Sequence, residues 1–155
     1  MSVEAHLAER GIVLPGPFPP HEPLVGVVVH DGVARTSGCL PRDAEGRFPA
    51  TGVLGRDVPT AVGVDCARLA ALNALSLLRA ELGSLDSVDR ILSVMVYVAC
   101  ADDFVEQPTV ADGASAALID VFGDAGRHTR AAIGVAALPR GACVEVEVTA
   151  ALHVR

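Results

Sequence analysis

Lysine is absent from this 155-residue chain; all 12 of its basic side chains are arginines. Without lysine there is no amine for a Schiff base with substrate or pyridoxal phosphate, and no P-loop lysine for a nucleotide. Tryptophan is missing too, tyrosine occurs once (Tyr97), and aromatics make up 3% of residues. That leaves no stacking platform for single-stranded nucleic acid. The basic residues face 19 acidic ones, and a net charge of −7 repels a phosphate backbone, so no nucleic-acid partner is expected. The four cysteines (Cys39, Cys66, Cys100, Cys143) include no pair at CxxC or CxxxH spacing. They predict no metal site and no bound cofactor, and read as small hydrophobes kept reduced in the cytoplasm. Long apolar runs are lacking as well. The longest, around residues 91–100 and 131–138, fall far short of the ~18–20 residues of a spanning helix. No membrane partner is expected. Residues 1–10 carry Glu4, His6 and Glu9 where a signal peptide would have a basic segment and an apolar block.

What is present is small and apolar. The chain is 51% hydrophobic with a mean hydropathy of +0.44, built from Ala, Val and Leu. The length suits one domain over residues 1–155, too small to hide all of that surface inside, so the excess predicts self-association.

Along the chain, residues 1–23 read as an extended arm, because Pro15-Gly16-Pro17-Phe18-Pro19-Pro20 forbids helix and regular sheet. Leu24–Val29 and Val33–Ser37 flank Asp31-Gly32, a hairpin signature. Residues 42–59, rich in Gly and Pro, read as a loop with one short strand near Phe48–Leu54. From Ala61 to Leu82 a leucine stripe at three- and four-residue steps predicts a helix, capped by Thr60 and ended by Gly83. The β-branched run Val88–Ala99 predicts a strand covered on both faces. A second helix fits Gln107 to Phe122, with Pro108 in its first turn. Strands over Arg130–Leu138 and Cys143–Val154 follow, the last alternating Val144, Val146 and Val148 with Glu145, Glu147 and Thr149. The order β-β-(β)-α-β-α-β-β puts helices on one face of a mixed sheet and leaves the other face to a neighbouring subunit.

The last third is the most specific. Arg130-Ala-Ala-Ile-Gly-Val-Ala-Ala-Leu-Pro139, followed by Val144-Glu145-Val-Glu147, resembles the C-terminal signature of the Rid (YjgF-type, L-PSP-like) family. Ser37-Gly38-Cys39-Leu40-Pro41, Val96-Tyr97-Val98 before Asp103-Phe104, and the order of elements agree with it. Gln107-Pro108-Thr-Val-Ala-Asp112-Gly-Ala-Ser115 and Arg127-His128-Thr-Arg130 resemble a longer subgroup of that family. The resemblance runs from about Leu24 to the end of the chain. It implies a chorismate-mutase-like α+β fold, a mixed sheet with two helices on one face, and a homotrimer with ligand sites in clefts between subunits. It also implies hydrolysis of reactive imines and enamines, such as 2-aminoacrylate, to 2-oxo acids and ammonia. Older labels for relatives include endoribonuclease and translation inhibitor.

The resemblance assigns roles residue by residue. Arg130 matches the family's carboxylate-binding arginine, and a guanidinium fork suits a carboxylate. Glu145 matches the acid that activates water, with Glu147 as its solvated neighbour on the strand. Ser37 and Gly38 match positions lining the cleft, though Ser-Gly also simply breaks a strand. The backbone N–H of Ala132 can reach the same carboxylate as Arg130. Two departures stand out: Leu24-Val25 falls where deaminating relatives carry a tyrosine, and Pro108 where they carry an asparagine. Asp112 and His128 are candidates to compensate. If Pro139–Ala142 closes a simple hairpin, Arg130 pairs near Ala151 and Glu145 near Ala136. That separates the two by ~20 Å and requires them to meet across a subunit boundary. The expected partner is a small carboxylate-bearing metabolite, either hydrolysed or, in the alternative, only bound by the trimer.

Overall fold

Asp31 and Gly32 both take positive φ (47° and 74°) in the computed structural model, which describes residues 1–154. They turn the chain tightly between β1 (Val27–His30) and β2 (Val33–Thr36), as a two-residue hairpin with right-handed strand twist requires. A long helix, α2 (Thr60–Leu82), leads to β3 (Val88–Ala99); a second, α3 (Gln107–Phe122), leads to β4 (Thr129–Val135); β5 (Val144–Leu152) ends the sheet. The strand order is β1-β2-β5-β3-β4, with β3 and β4 parallel and the other neighbours antiparallel.

Both long helices lie on one face of this sheet, which buries Val94, Val96 and Val98 of β3 and Val144, Val146 and Val148 of β5 beneath them. The opposite face carries Met95, Tyr97, Glu145, Glu147 and Ile133, and no helix among the described residues covers it. The alanine-rich composition has its structural reason where α2 meets α3. Ala67, Ala70, Ala71 and Ala74 on one helix and Ala111, Ala114 and Ala117 on the other are all fully buried, so the two backbones approach closely. At Gly113 a Cβ would overlap the Val64 carbonyl oxygen. Gly113→Ala should therefore lower the unfolding free energy by about 2–3 kcal/mol, although alanine is the better helix former by ~1 kcal/mol. Denaturant unfolding of the two proteins checks it. By length and composition α2 is apolar enough to cross a membrane, yet 67% of its most apolar window is buried inside the domain.

Four expectations are corrected. Residues 1–23 are not wholly an extended arm, because Val3–Arg10 forms a helix, α1. Ser2 Oγ caps it by accepting the Ala5 N–H at 3.1 Å, and Gly11 closes it at φ 63°. It docks on the turn before β3 through the Val3 N–H to Asp86 Oδ1 (2.6 Å) and the Leu85 N–H to Glu4 Oε1 (3.0 Å). Thr60 does not cap α2. Pro59 holds the cap position with no side-chain bond, and the Thr60 hydroxyl donates to Glu106 Oε2 at 3.0 Å. No strand forms over 48–54, where only isolated bridges tie Thr51 to Ala142 and Leu54 to Val58 and Cys100. Finally, β4 and β5 are not a hairpin: β3 lies between them, antiparallel to β5 and parallel to β4.

Candidate functional site

The site begins with a miscount of one residue between two strands. Arg35 pairs with Thr149, but Cys39 pairs with Val146, so β2 spends one residue more than β5 over the same stretch. The bulge falls at Thr36–Gly38. Its cost is met locally, since the Val148 N–H, left without a backbone acceptor, donates to Thr36 Oγ1 at 3.1 Å. Ser37 is fixed by its N–H to the Gly26 carbonyl (2.8 Å) and by its hydroxyl, which donates to the Val25 carbonyl (2.6 Å). Bulges of this kind re-aim backbone beside functional sites. Here the bulge brings Gly38 flat against Glu145.

That contact needs glycine. A Cβ at residue 38 would fall inside the Glu145 carboxylate, 2.8 Å from its Cδ. Glu145 is half-buried at the wall of a cavity of about 720 Å³, which Ser37, Gly38, Cys39, Leu24 and Pro139 also line. Burial, and then the nearby charge of Glu147, pushes the Glu145 carboxyl above the usual range. Glu147 itself is not the freely solvated neighbour expected from the alternation. Its side chain is 22% exposed and accepts from Arg35 Nη2 at 2.6 Å. The two acids on one strand thus differ: one is paired with a cation, the other desolvated without one. Cys39 supplies no nucleophile, because burial pushes its thiol up to about 12.

Arg130 lies elsewhere. It pairs with Val94 in β3, on the helix-bearing face of the sheet, and its guanidinium packs over α3. Nη1 donates to Asp112 Oδ1 (2.9 Å) and Ser115 Oγ (3.0 Å), and Nη2 to the Pro108 carbonyl (3.3 Å). The Arg130 side chain is 21% exposed and Asp112 is 70% exposed. Asp112 is therefore the resident carboxylate on the arginine. His128 bridges Ser115 and the Gly126 carbonyl at 2.9 and 2.5 Å. The Gly126 carbonyl can only accept, so Nδ1 donates to it, and Nε2 is the ring nitrogen that meets the Ser115 hydroxyl. A chain of hydrogen bonds then runs from Arg130 through Ser115 to His128, and the histidine fixes the serine that orients the arginine. Ala132 follows on the same face of the edge strand.

The structure thus brings Arg130, Asp112, Ser115 and His128 together, and separately Glu145, Ser37 and Gly38. It does not join the two groups. Glu145 pairs with Tyr97 of β3, three rows from Val94, and projects from the opposite face. Two strand spacings and three residues put about 10 Å in each direction between them, with the sheet in the way. The hairpin register expected from the sequence was wrong, but the separation stands for this other reason. Ser115 was missed, although its i,i+3 spacing from Asp112 on α3 puts both toward the same neighbour. Arg42 and Arg140, which also line the cavity, carried no local signal: distant turns converge there only in the fold.

A mixed five-stranded sheet with its helices on one face is a YjgF/chorismate-mutase-like fold. The family model described as "YjgF/chorismate_mutase-like, putative endoribonuclease" matches residues 19–152. The chain belongs to this family, the YjgF or Rid family. It is 40% identical over 152 residues to Protein TCP17 of Trypanosoma cruzi, covering 97% of this chain and 94% of that one. The protein Atu1372 of Agrobacterium tumefaciens is 36% identical, with TM-score 0.88 over 99% of this chain and 93% of its own. A Shewanella oneidensis crystal structure reaches TM-score 0.92 at 28% identity, over 98% of this chain and 100% of that chain.

Proposed function

We propose that this protein hydrolyses small reactive imines and enamines to 2-oxo acids and ammonia, in clefts between the subunits of a homotrimer. Arg130 of one subunit grips the carboxylate, aided by the Ala132 N–H, and Glu145 of the next manages water. The observation that carries this reading is the Glu145 carboxyl, half-buried in a cavity and held above its usual pKa range without a cationic partner. A carboxylate so raised is a stronger base than that of an ordinary glutamate, and its acid form is more readily regenerated. As carboxylate it takes a proton from water while the water oxygen attacks the imine carbon, and the C=N π electrons move to nitrogen. Glu145 passes that proton to nitrogen, giving a carbinolamine; it then takes the hydroxyl proton and hands it to the amino group, so that the C–N bond breaks as the carbonyl forms and ammonia leaves. Asp112 holds Arg130 in place until the ligand's carboxylate displaces it.

Release of ammonia from imines generated in situ by an amino-acid oxidase tests this. Glu145→Gln should cut turnover by about 10²–10⁴-fold while leaving carboxylate binding. The acid limb of the pH profile should lie above that of an ordinary glutamate, because the raised pKa delays formation of the carboxylate as pH rises. A second reading, a trimer that binds small carboxylates without turning them over, is favoured by Leu24. It lines the cavity where deaminating relatives carry a tyrosine. Carboxylate binding with no acceleration for any imine would select it.

A further inference from the structure

We propose that the ligand of the Glu145 cavity carries a second anionic group, a side-chain carboxylate held by Arg140 with Arg42, so that the substrates are 2-imino dicarboxylic acids. This rests on the reading of the cleft given above and names its substrate class.

Arg140 is the first observation. It takes left-handed backbone (φ 58°, ψ 20°) in the turn at Pro139–Gly141. Glycine or asparagine would take that conformation at less cost, so an arginine there costs stability for the sake of its side chain. Yet that side chain makes no hydrogen bond or ion pair among the described residues, and it lines the cavity. Arg42 is the second. Its guanidinium lies 5.7 Å from the Phe18 ring centroid and 5.2 Å from that of Phe48, with one N–H donated to the Gly46 carbonyl at 3.2 Å. The two rings hold it at the cavity wall with donors to spare, and it too has no carboxylate partner among the described residues. Most of the chain's arginines do have one.

Charge gives the third. In a chain of net charge −7, the described residues lining this cavity include two arginines and a single acid, Glu145. Two guanidiniums against one carboxyl group leave the cavity locally positive even when Glu145 is ionised. The wall also offers Asn73, 4% exposed, whose Oδ1 has no hydrogen-bond partner while its Nδ2 donates to the Arg42 carbonyl at 2.9 Å. The unpaired positive charge suits an anionic end on the ligand, whereas the open Asn73 Oδ1 is an acceptor and suits a donor there, such as an imine N–H. Arg130 takes the carboxylate beside the imine, and Arg140 the one at the far end of a four- or five-carbon chain.

Calorimetry with two probes of equal chain length, 2-oxoglutarate and 2-oxopentanoate, tests the proposal. The dicarboxylate should bind at least tenfold more tightly, and Arg140→Gly, which fits the left-handed backbone, should bring it down to the level of the monocarboxylate. Arg140→Lys should retain part of the preference. Equal binding of the two probes, or a preference that survives Arg140→Gly, overturns it. Imine hydrolysis measured alongside separates the two readings. An Arg140-dependent preference without turnover supports the dicarboxylate site and sinks the enzyme. Turnover of 2-imino monocarboxylates without any preference for the dicarboxylate probe does the reverse.

Discussion

Arg130→Ala and Glu145→Gln proteins, each nearly inactive alone, are expected to recover about a quarter of wild-type turnover when co-assembled in equal amounts. Each substitution removes one half of the proposed chemistry: the planar fork that orients the carboxylate, or the acid that moves protons. Losses of about 10²–10⁴-fold are expected for either one. The recovery follows from where the two residues lie. Arg130 packs over α3 on the covered face of the sheet, and Glu145 projects from the open face two strands away. No small ligand touches both in one chain. If each site takes its arginine from one subunit and its glutamate from another, random assembly pairs an intact Arg130 with an intact Glu145 in about one site in four. Ammonia release by the unfractionated mixture gives the measurement, and heteromers isolated through two different tags should rise to about one intact site in three, because the inactive homotrimers are removed. A mixture no more active than its parts would mean that the two residues do not serve one site.

Much of the fold could be read from the sequence because its signals were local and undisputed. The boundaries of β3 and α3 follow from β-branched residues over 88–99, and from Pro108 at one end with Gly123 at the other. The turn at Asp31-Gly32 needed only its two residues. Three features were not legible, each for a physical reason. In α1 a Ser2 cap and a Gly11 stop were outweighed by the proline run after them, and only Leu7 of that helix is buried, so it carries no stripe. The partnership of β4 with β5 was assumed from adjacency, but a parallel pair with β3 is reached through the α3 crossover, which places that apolar strand inside the sheet between β5 and β4. The site was legible as single residues and not as an arrangement. Arg130, Glu145, Ser37 and Gly38 came from motifs, whereas Arg140, Arg42 and Ser115 take their meaning from what the fold sets beside them.

Gly38→Ala should be nearly as damaging to turnover as removing Glu145, although it adds only a methyl group. The backbone at residue 38 lies outside the left-handed region, so alanine is permitted there, and the difficulty is entirely the Glu145 carboxylate in the space the Cβ would fill. The glutamate is the softer partner, since Gly38 is pinned between the Ser37 N–H bond to Gly26 (2.8 Å) and the paired bonds of Cys39 with Val146 (2.8 and 3.0 Å). Its side chain will swing toward solvent and leave the cavity. The fold should survive with a loss of about 1–3 kcal/mol, while turnover falls by about 10²-fold. The KM for a carboxylate substrate, governed by Arg130, should change little. Two readouts distinguish displacement from general damage. The residual activity should have its acid limb moved down toward that of an ordinary carboxylate, because a solvated Glu145 no longer feels the burial that raised it. The double variant Gly38→Ala/Glu145→Gln should be no slower than Glu145→Gln alone, because the methyl group acts only through the acid it displaces. Full activity with an unshifted acid limb in Gly38→Ala would mean that a group other than Glu145 moves the protons.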